Sequence, residues 1–231
     1  MMLLVLFVSI AFLYSFSNAR NGKKRIEKIH IEIEKTEHSF LTHGIVNKLL
    51  IQNDTSLQNQ AKSVIDLYRL EEEVLKNPYI EKASLFITID GTLNTLIKQR
   101  TPVARVITGG ESYYLDLQGK EMPLSENYSA RVPLITGVHI DQNLREVIEL
   151  LHKIMTDDFL KKEIIGIHLN DSNECVFTVR SGDYKVEFGA LNEMDQKFRK
   201  LKAFYNKTFS TDIQKYKTIN IKYRNQVVGV K

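Results

Sequence analysis

From Met1 to Ala19 the chain carries no charged side chain, and Met1–Phe16 is almost wholly apolar. A bilayer core is crossed by about 20 such residues, with ~17 the usual lower limit. A cleaved signal peptide is the competing reading, and Ser17-Asn18-Ala19 offers a small residue for cleavage. The basic start of a signal is missing, however, and the run exceeds the usual apolar region of about 7–15 residues. Residues 1–19 are therefore expected to be a retained transmembrane anchor. Arg20, Lys23, Lys24 and Arg25 follow the run and nothing basic precedes it. Charge bias alone would keep that cationic side cytoplasmic.

The remainder reads as globular. With 231 residues, 43% hydrophobic and 26% charged, the chain can bury one large core or two small ones. A net charge of +4, with no basic patch interleaved with aromatics, excludes nucleic acid as the expected partner. The single Cys175 sits in NECVFTV, a strand-like setting in which a lone thiol is a small buried hydrophobe.

Residues 24–104 show a strand, two helices and a hairpin. Ile29, Ile31 and Ile33 alternate with His30, Glu32 and Glu34, a half-buried strand within Lys24–Glu34. Ser39 or Thr42 can cap a helix reaching Gln52, and Asn53–Ala61 reads as a loop. A second helix is expected over Ser63–Lys76, burying Leu67, Leu70, Val74 and Leu75, with Asn77-Pro78 as its stop. Glu71-Glu72-Glu73 in that helix point about 100° apart, a solvated face rather than a converging site. Tyr79–Ile89 and Thr92–Arg100 then flank Asp90-Gly91, the signature of a two-residue hairpin. In the first arm Ala83, Leu85, Ile87 and Ile89 should face the core. Thr101-Pro102 is expected to make a stiff extended joint.

Residues 105–231 are expected to form a second, mainly antiparallel α+β domain. Short strands are expected at Arg105–Thr108 and Ser112–Leu117 around Gly109-Gly110. A helix over Asp141–Met155, capped by Asp141, carries Leu144, Val147, Ile148, Leu151 and Ile154 on one stripe. Strands are expected at Ile164–Leu169, Glu174–Arg180 and Tyr184–Phe188, and a helix over Met194–Lys207 with Met194, Phe198, Leu201 and Tyr205 on one side. Two last strands, Thr218–Tyr223 and Gln226–Val230, flank Arg224-Asn225.

The order of these features resembles the FtsQ/DivIB family of bacterial cell-division proteins. Asn77-Pro78-Tyr79-Ile80, the hairpin and Gln99-Arg100-Thr101-Pro102-Val103-Ala104 resemble the end of its POTRA domain, with Gln99 where the family has Glu. Tyr114-Leu115-Asp116, Gly119 and Val132–Gly137 resemble the opening of its β domain. Thr218–Tyr223 is similar to its late strand, with Asn220 in place of an acid and Lys222 in place of Arg. The resemblance implies an anchor (1–19), a βααββ POTRA domain (24–104) and a β domain (105–231). It also implies a single-pass protein of the bacterial inner membrane, its bulk periplasmic and at the division septum. The basic residues after the anchor oppose that orientation, and an upstream cytoplasmic tail missing from this start is the expected resolution.

No chemistry is written into the chain. The six histidines (His30, His38, His43, His139, His152, His168) show no metal-ligand spacing, and no nucleophile or phosphate-loop signature occurs. Gly109-Gly110 precedes no helix and is not a phosphate cradle. Asn53, Asn127, Asn170 and Asn206 fit the glycosylation pattern by chance composition. No cofactor, metal or small-molecule substrate is expected, and the chain reads as non-catalytic. A division scaffold, a POTRA-type polypeptide-binding module of outer-membrane assembly or transport, and a secreted enzyme with an unrecognised site compete. The second predicts tandem repeats and a barrel, neither of which is present in these residues. The resemblance implies FtsB-like and FtsL-like partners, one of which adds a strand at the C-terminal edge through Lys222, Tyr223, Asn225, Gln226, Val227, Val228 and Gly229. Residues 195–231 hold ten Lys/Arg against two Asp/Glu, which would steer an acidic segment there.

Overall fold

The uncharged N-terminal run forms helix α1 (Met2–Gly22) in a computed structural model that describes residues 2–36, 39–51, 57–137, 141–208 and 213–231. Its Leu3–Gly22 stretch is long and apolar enough to cross a membrane, with a mean hydropathy of 1.6. The chain divides into two compact units, Met1–Arg100 and Thr101–Lys231.

In the first unit α1 is followed by β1 (Lys28–Ile33), α2 (His43–Leu50), α3 (Leu67–Leu75), β2 (Ile80–Ile87) and β3 (Thr92–Gln99). The sheet order is β1-β3-β2, so the last strand is central, parallel to β1 and antiparallel to β2. Val46 and Leu50 of α2 and Leu70 and Val74 of α3 pack with Ile80, Leu85, Leu93 and Ile97 of the sheet. Gln99 is buried, and its Oε1 accepts the Leu41 amide at 3.0 Å, tying β3 to the approach to α2.

Several boundaries differ from the sequence expectation, each for a local reason. Only Lys28–Ile33 of the expected 24–34 strand joins the ladder. Residues 24–26 pair with 59–62 instead: the Ile26 amide donates to the Gln60 carbonyl, and the Asn59 amide to that of Ile26, both at 2.9 Å. Thr42, rather than Ser39, caps α2, its Oγ1 accepting the Ile45 amide at 3.3 Å. The expected helix end at Gln52 and the first part of the loop, Asn53 included, lie outside the described residues. Helix α3 starts after Asp66, whose Oδ1 accepts the Arg69 amide at 3.0 Å, and Lys62–Val64 is a separate 3-10 turn. Leu75 is exposed because it sits about 100° around the helix from the buried Val74.

The β2–β3 connection is one residue longer than a two-residue turn. The Gly91 amide donates to the Thr88 carbonyl at 3.1 Å, and the Thr88 amide to that of Thr92 at 3.0 Å. Ile89, Asp90 and Gly91 therefore form the loop, with Gly91 at φ +95 as its third residue, the positive-φ position of a three-residue hairpin loop. The extra residue takes Ile89 out of the alternation, and it is 78% exposed rather than buried. A true two-residue hairpin lies elsewhere, at Gly109-Gly110 (φ +57 and +86), where Thr108 faces Glu111 directly.

The second unit contains β4 (Ala104–Thr108), β5 (Glu111–Leu115), β6 (Glu121–Pro123), β7 (Leu134–Gly137), α4 (Leu144–Thr156), α5 (Asp158–Glu163), β8 (Ile164–Leu169), β9 (Cys175–Val179), β10 (Lys185–Gly189), α6 (Met194–Thr208), β11 (Thr218–Asn220) and β12 (Val228–Val230). Nine strands make one sheet in the order β12-β11-β10-β9-β8-β7-β4-β5-β6, with five antiparallel and three parallel pairings. The chain is thus α+β, with an N-terminal apolar helix, a βααββ region and a mainly antiparallel sheet. Val103 and Ala104 belong to this second core, with Val147, Leu151 and Ile154 of α4 and Phe198, Leu201 and Tyr205 of α6. Asn143, not Asp141, immediately precedes α4. Asp116 is buried because its Oδ1 accepts the Gln118 and Lys120 amides at 2.9 and 2.8 Å, closing the β5–β6 turn.

Candidate functional site

The last two strands are held unequally on their two sides. Ile219 and Ile221 are buried, which fixes the β11 segment to the core, and β11 runs parallel to β10 with Ile219 opposite Val186. Between them Asn220 donates through Nδ2 to Glu187 Oε2 at 2.5 Å and accepts the Lys222 amide at 3.0 Å. The Lys222 ammonium reaches Glu174 Oε2 at 2.7 Å and Glu187 Oε2 at 3.6 Å. The hydrogen bond to Glu174 raises the Lys222 pKa against the opposing effect of desolvation. Helix α6 braces the turn that follows: Lys200 Nζ donates to the Ile221 carbonyl at 2.8 Å and to that of Tyr223, and Gln196 Nε2 to that of Arg224 at 3.3 Å.

Strand β12 then returns antiparallel, with Asn220, Ile219 and Thr218 opposite Val228, Gly229 and Val230. Gly229 lets this happen, since a Cβ there would stand 2.5 Å from Cε1 of Tyr216, a ring that is itself packed on Phe204 at 5.6 Å. Among the described strands β12 pairs with β11 alone, and all three of its residues are exposed. The opposite end of the sheet is blunted: β6 is Glu121-Met122-Pro123, a charge and a proline in three residues. Val228-Gly229-Val230 has neither device.

Comparison with known proteins follows the same division of the chain. Residues 24–98 match the POTRA-like domain, and residues 101–230, more than half of the chain, match the family described as FtsQ/DivIB, C-terminal related. The chain belongs to the FtsQ/DivIB family. Two relatives named cell division protein FtsQ are similar to it. That of Geotalea daltonii is 28% identical over 174 residues, 70% of this chain and 62% of the relative. That of Salinibacter ruber is 25% identical over 176 residues, 68% of this chain and 66% of the relative. The chain thus spans slightly less than two thirds of each.

In this FtsQ/DivIB-family chain the residues singled out from the sequence do not all face the same way. Lys222 is half-buried in its ion pairs with Glu174 and Glu187, and Val227 packs partly against the core. Tyr223, Asn225 and Gln226 are exposed in the turn, and Val228 and Gly229 lie on the outer strand. The braces from Glu174, Glu187, Gln196 and Lys200 were not foreseen. They come from β10, α6 and the residue just before β9, 20 to 50 residues upstream, where spacing carries no signal of them.

No rival site presents itself among the described residues. No group of three His, Cys, Asp or Glu could hold a metal ion there, and His38 and His139 lie outside them. His168 Nδ1 is 3.0 Å from Thr136 Oγ1, a cross-strand contact. Cys175 is fully buried, and desolvation pushes its thiol up to about 12, away from reactivity at neutral pH. The buried Glu163 carboxylate is bonded within a cluster of its own. Glu163 Oε1 accepts from the Ser181 amide at 3.2 Å, the Tyr205 hydroxyl at 2.9 Å and the Ser181 hydroxyl, while Tyr184 donates to Tyr205 at 2.6 Å. Burial pushes both phenols above their ordinary range. That cluster locks the end of α5, the β9–β10 turn and α6 together.

Proposed function

We propose that the chain is a non-catalytic scaffold of the bacterial division machinery, anchored in the inner membrane by α1 with its bulk in the periplasm at the septum. In this reading the anchor lies within α1, the POTRA domain in the first unit and the β domain in the second, which takes in residues 101–104 rather than leaving them to the POTRA domain. It recruits an FtsB-like protein, and with it an FtsL-like one, by adding a strand to β12. One observation carries the reading: β12 is an exposed, unblunted strand at the end of a nine-stranded sheet, rigidly backed by β11 and α6. Such an edge offers ladder hydrogen bonds for affinity and alternate side chains for selectivity. Val228, Gly229, Val227 and Gln226 would pair, Tyr223 and Asn225 would flank the entering strand, and Lys222 would hold the turn through its carboxylates. The excess of Lys and Arg in residues 195–231 would attract an acidic segment.

Co-purification with the FtsB-like protein of the same genome tests the proposal. Val228→Pro removes an N–H and disrupts the outer strand, and deletion of 226–231 removes it. Both should abolish capture while the second unit keeps its thermal transition. Capture that survives both changes moves the site away from β12.

A further inference from the structure

The end of α1 does not run into a free linker. Lys62 Nζ lies 3.4 Å from Asn21 Oδ1, in the last turn of the helix, and also donates to the carbonyls of Thr88 at 2.5 Å and Ile89 at 3.2 Å. Lys24, two residues past the helix, donates to the same Ile89 carbonyl at 3.0 Å. Gly22 abuts Ser63, with a Cβ at Gly22 standing 3.7 Å from the Ser63 Cβ. Two lysines therefore tie the β2–β3 tip and the 62–64 turn to the root of the apolar helix.

That connection fixes a depth. Leu3–Gly22 is 20 residues, and at a rise of ~1.5 Å per residue it spans about 30 Å, the thickness of a hydrocarbon core. When α1 crosses a bilayer, Asn21 and Gly22 stand at headgroup level, and so do the groups bonded to them. The side chains presented there suit that layer. Ile89 and Val64 are 78% and 73% exposed, large apolar groups with no cover in the unit. Around them stand the exposed Arg20, Lys23 and Arg25. Asp90, the acid of the tip, is turned back on its own strand and accepts the Thr92 hydroxyl at 2.9 Å. Apolar tips inside a cationic collar are what an anionic lipid surface holds, by partial insertion and by charge together.

We propose that Ile89, Val64 and the collar Arg20, Lys23 and Arg25 rest on the phospholipid headgroups of the bilayer that α1 crosses, holding the first unit in a fixed orientation to the membrane. The proposal rests on α1 as an anchor, and the test separates the two. The full chain, with Cys175→Ala, is labelled with an environment-sensitive fluorophore at Leu13→Cys, Val64→Cys, Lys82→Cys or Ile89→Cys. It is reconstituted in phosphatidylcholine vesicles with and without phosphatidylglycerol, with spin-labelled headgroup lipid as quencher. Lys82 is exposed on β2 roughly 20 Å along the strand from the tip and reports water.

The expected result is a deep probe at Leu13. Blue-shifted, headgroup-quenched probes are expected at Ile89 and Val64, and an unquenched one at Lys82. The Ile89 quenching should grow with phosphatidylglycerol and lose that dependence in Arg20→Gln/Lys23→Gln. A buried Leu13 probe with Ile89 reading like Lys82 overturns the proposal and leaves the anchor standing. A Leu13 probe in water overturns both.

Discussion

Gly91 and Gly109 both hold positive φ at hairpin loops, yet their replacements should differ several-fold. At Gly91 φ is +95, and a Cβ would stand 2.6 Å from the Arg25 carbonyl oxygen. That oxygen belongs to a segment fixed on both sides, since the Lys62 amide bonds Lys24 at 2.8 Å and the Ile26 amide bonds Gln60 at 2.9 Å. Backbone strain there costs about 1–3 kcal/mol, and forcing the neighbouring strand aside adds about 1–3 kcal/mol. At Gly109 φ is +57 and nothing lies within 4 Å of a Cβ. Only the left-handed backbone cost applies, roughly 1–2 kcal/mol for Ala, and Asn is at home in that region. Asn therefore separates the two effects. Gly109→Asn should be nearly neutral, while Gly91→Asn should still cost the clash. At about 4–8 °C per kcal/mol for a domain this size, calorimetry of residues 24–231 should show the Gly91→Asn transition lowered by roughly 5–20 °C. Equal melting of Gly91→Asn and Gly109→Asn would refute the contact with Arg25 and the three-residue turn behind it.

Two further outcomes concern hydrogen-bonded polar groups in the second unit. Asp157 caps α5 through the Phe159 and Leu160 amides and pairs with Lys202; desolvation opposes ionisation, but the bonds from Lys202 and those amides hold its carboxyl below the usual range. A depressed folded pKa stabilises above the unfolded value and is lost as pH falls through the folded one. The melting difference between the parent and Asp157→Asn should thus be present at neutral pH and shrink below about pH 4. A difference that persists at pH 2 would deny the carboxylate any role. Tyr205→Phe leaves Glu163 and Tyr184 short of a partner and should cost about 1–3 kcal/mol in a denaturant titration. Because burial raises the Tyr205 pKa, the parent should lose stability above the unfolded value of 10.0 faster than the variant does, and parallel pH profiles would contradict that.

How far the sequence spoke for the fold depended on element length and on how far away the partners lay. β8, β9 and β10 fell within a residue or so of expectation because period-two runs were bounded by the Asn170–Asn173 and Ser181–Asp183 turns. Helix α5 and strand β6, at six and three residues, are shorter than the windows in which periodicity can be counted, and they went unseen. Asp90-Gly91 was read correctly as part of a turn, but its length depended on whether Ile89 paired, and the bonds of Thr88 to Gly91 and Thr92 leave Ile89 in the loop. At the candidate site the alternation of 218–230 announced two strands. The ion pairs of Lys222 with Glu174 and Glu187, 48 and 35 positions upstream, could not be announced by spacing.

The central place of β3 in the first sheet has a temporal side. Among the described strands β1 pairs with β3 alone, and Thr92, the partner of Lys28, lies 64 positions after it. During synthesis α1 can enter a bilayer while the strand behind it still waits for the hairpin that completes its sheet. The loop so closed is long, and its entropy is recovered only when β3 arrives, so β1, α2 and α3 have no partial sheet on which to settle. The unit therefore closes around its final strand.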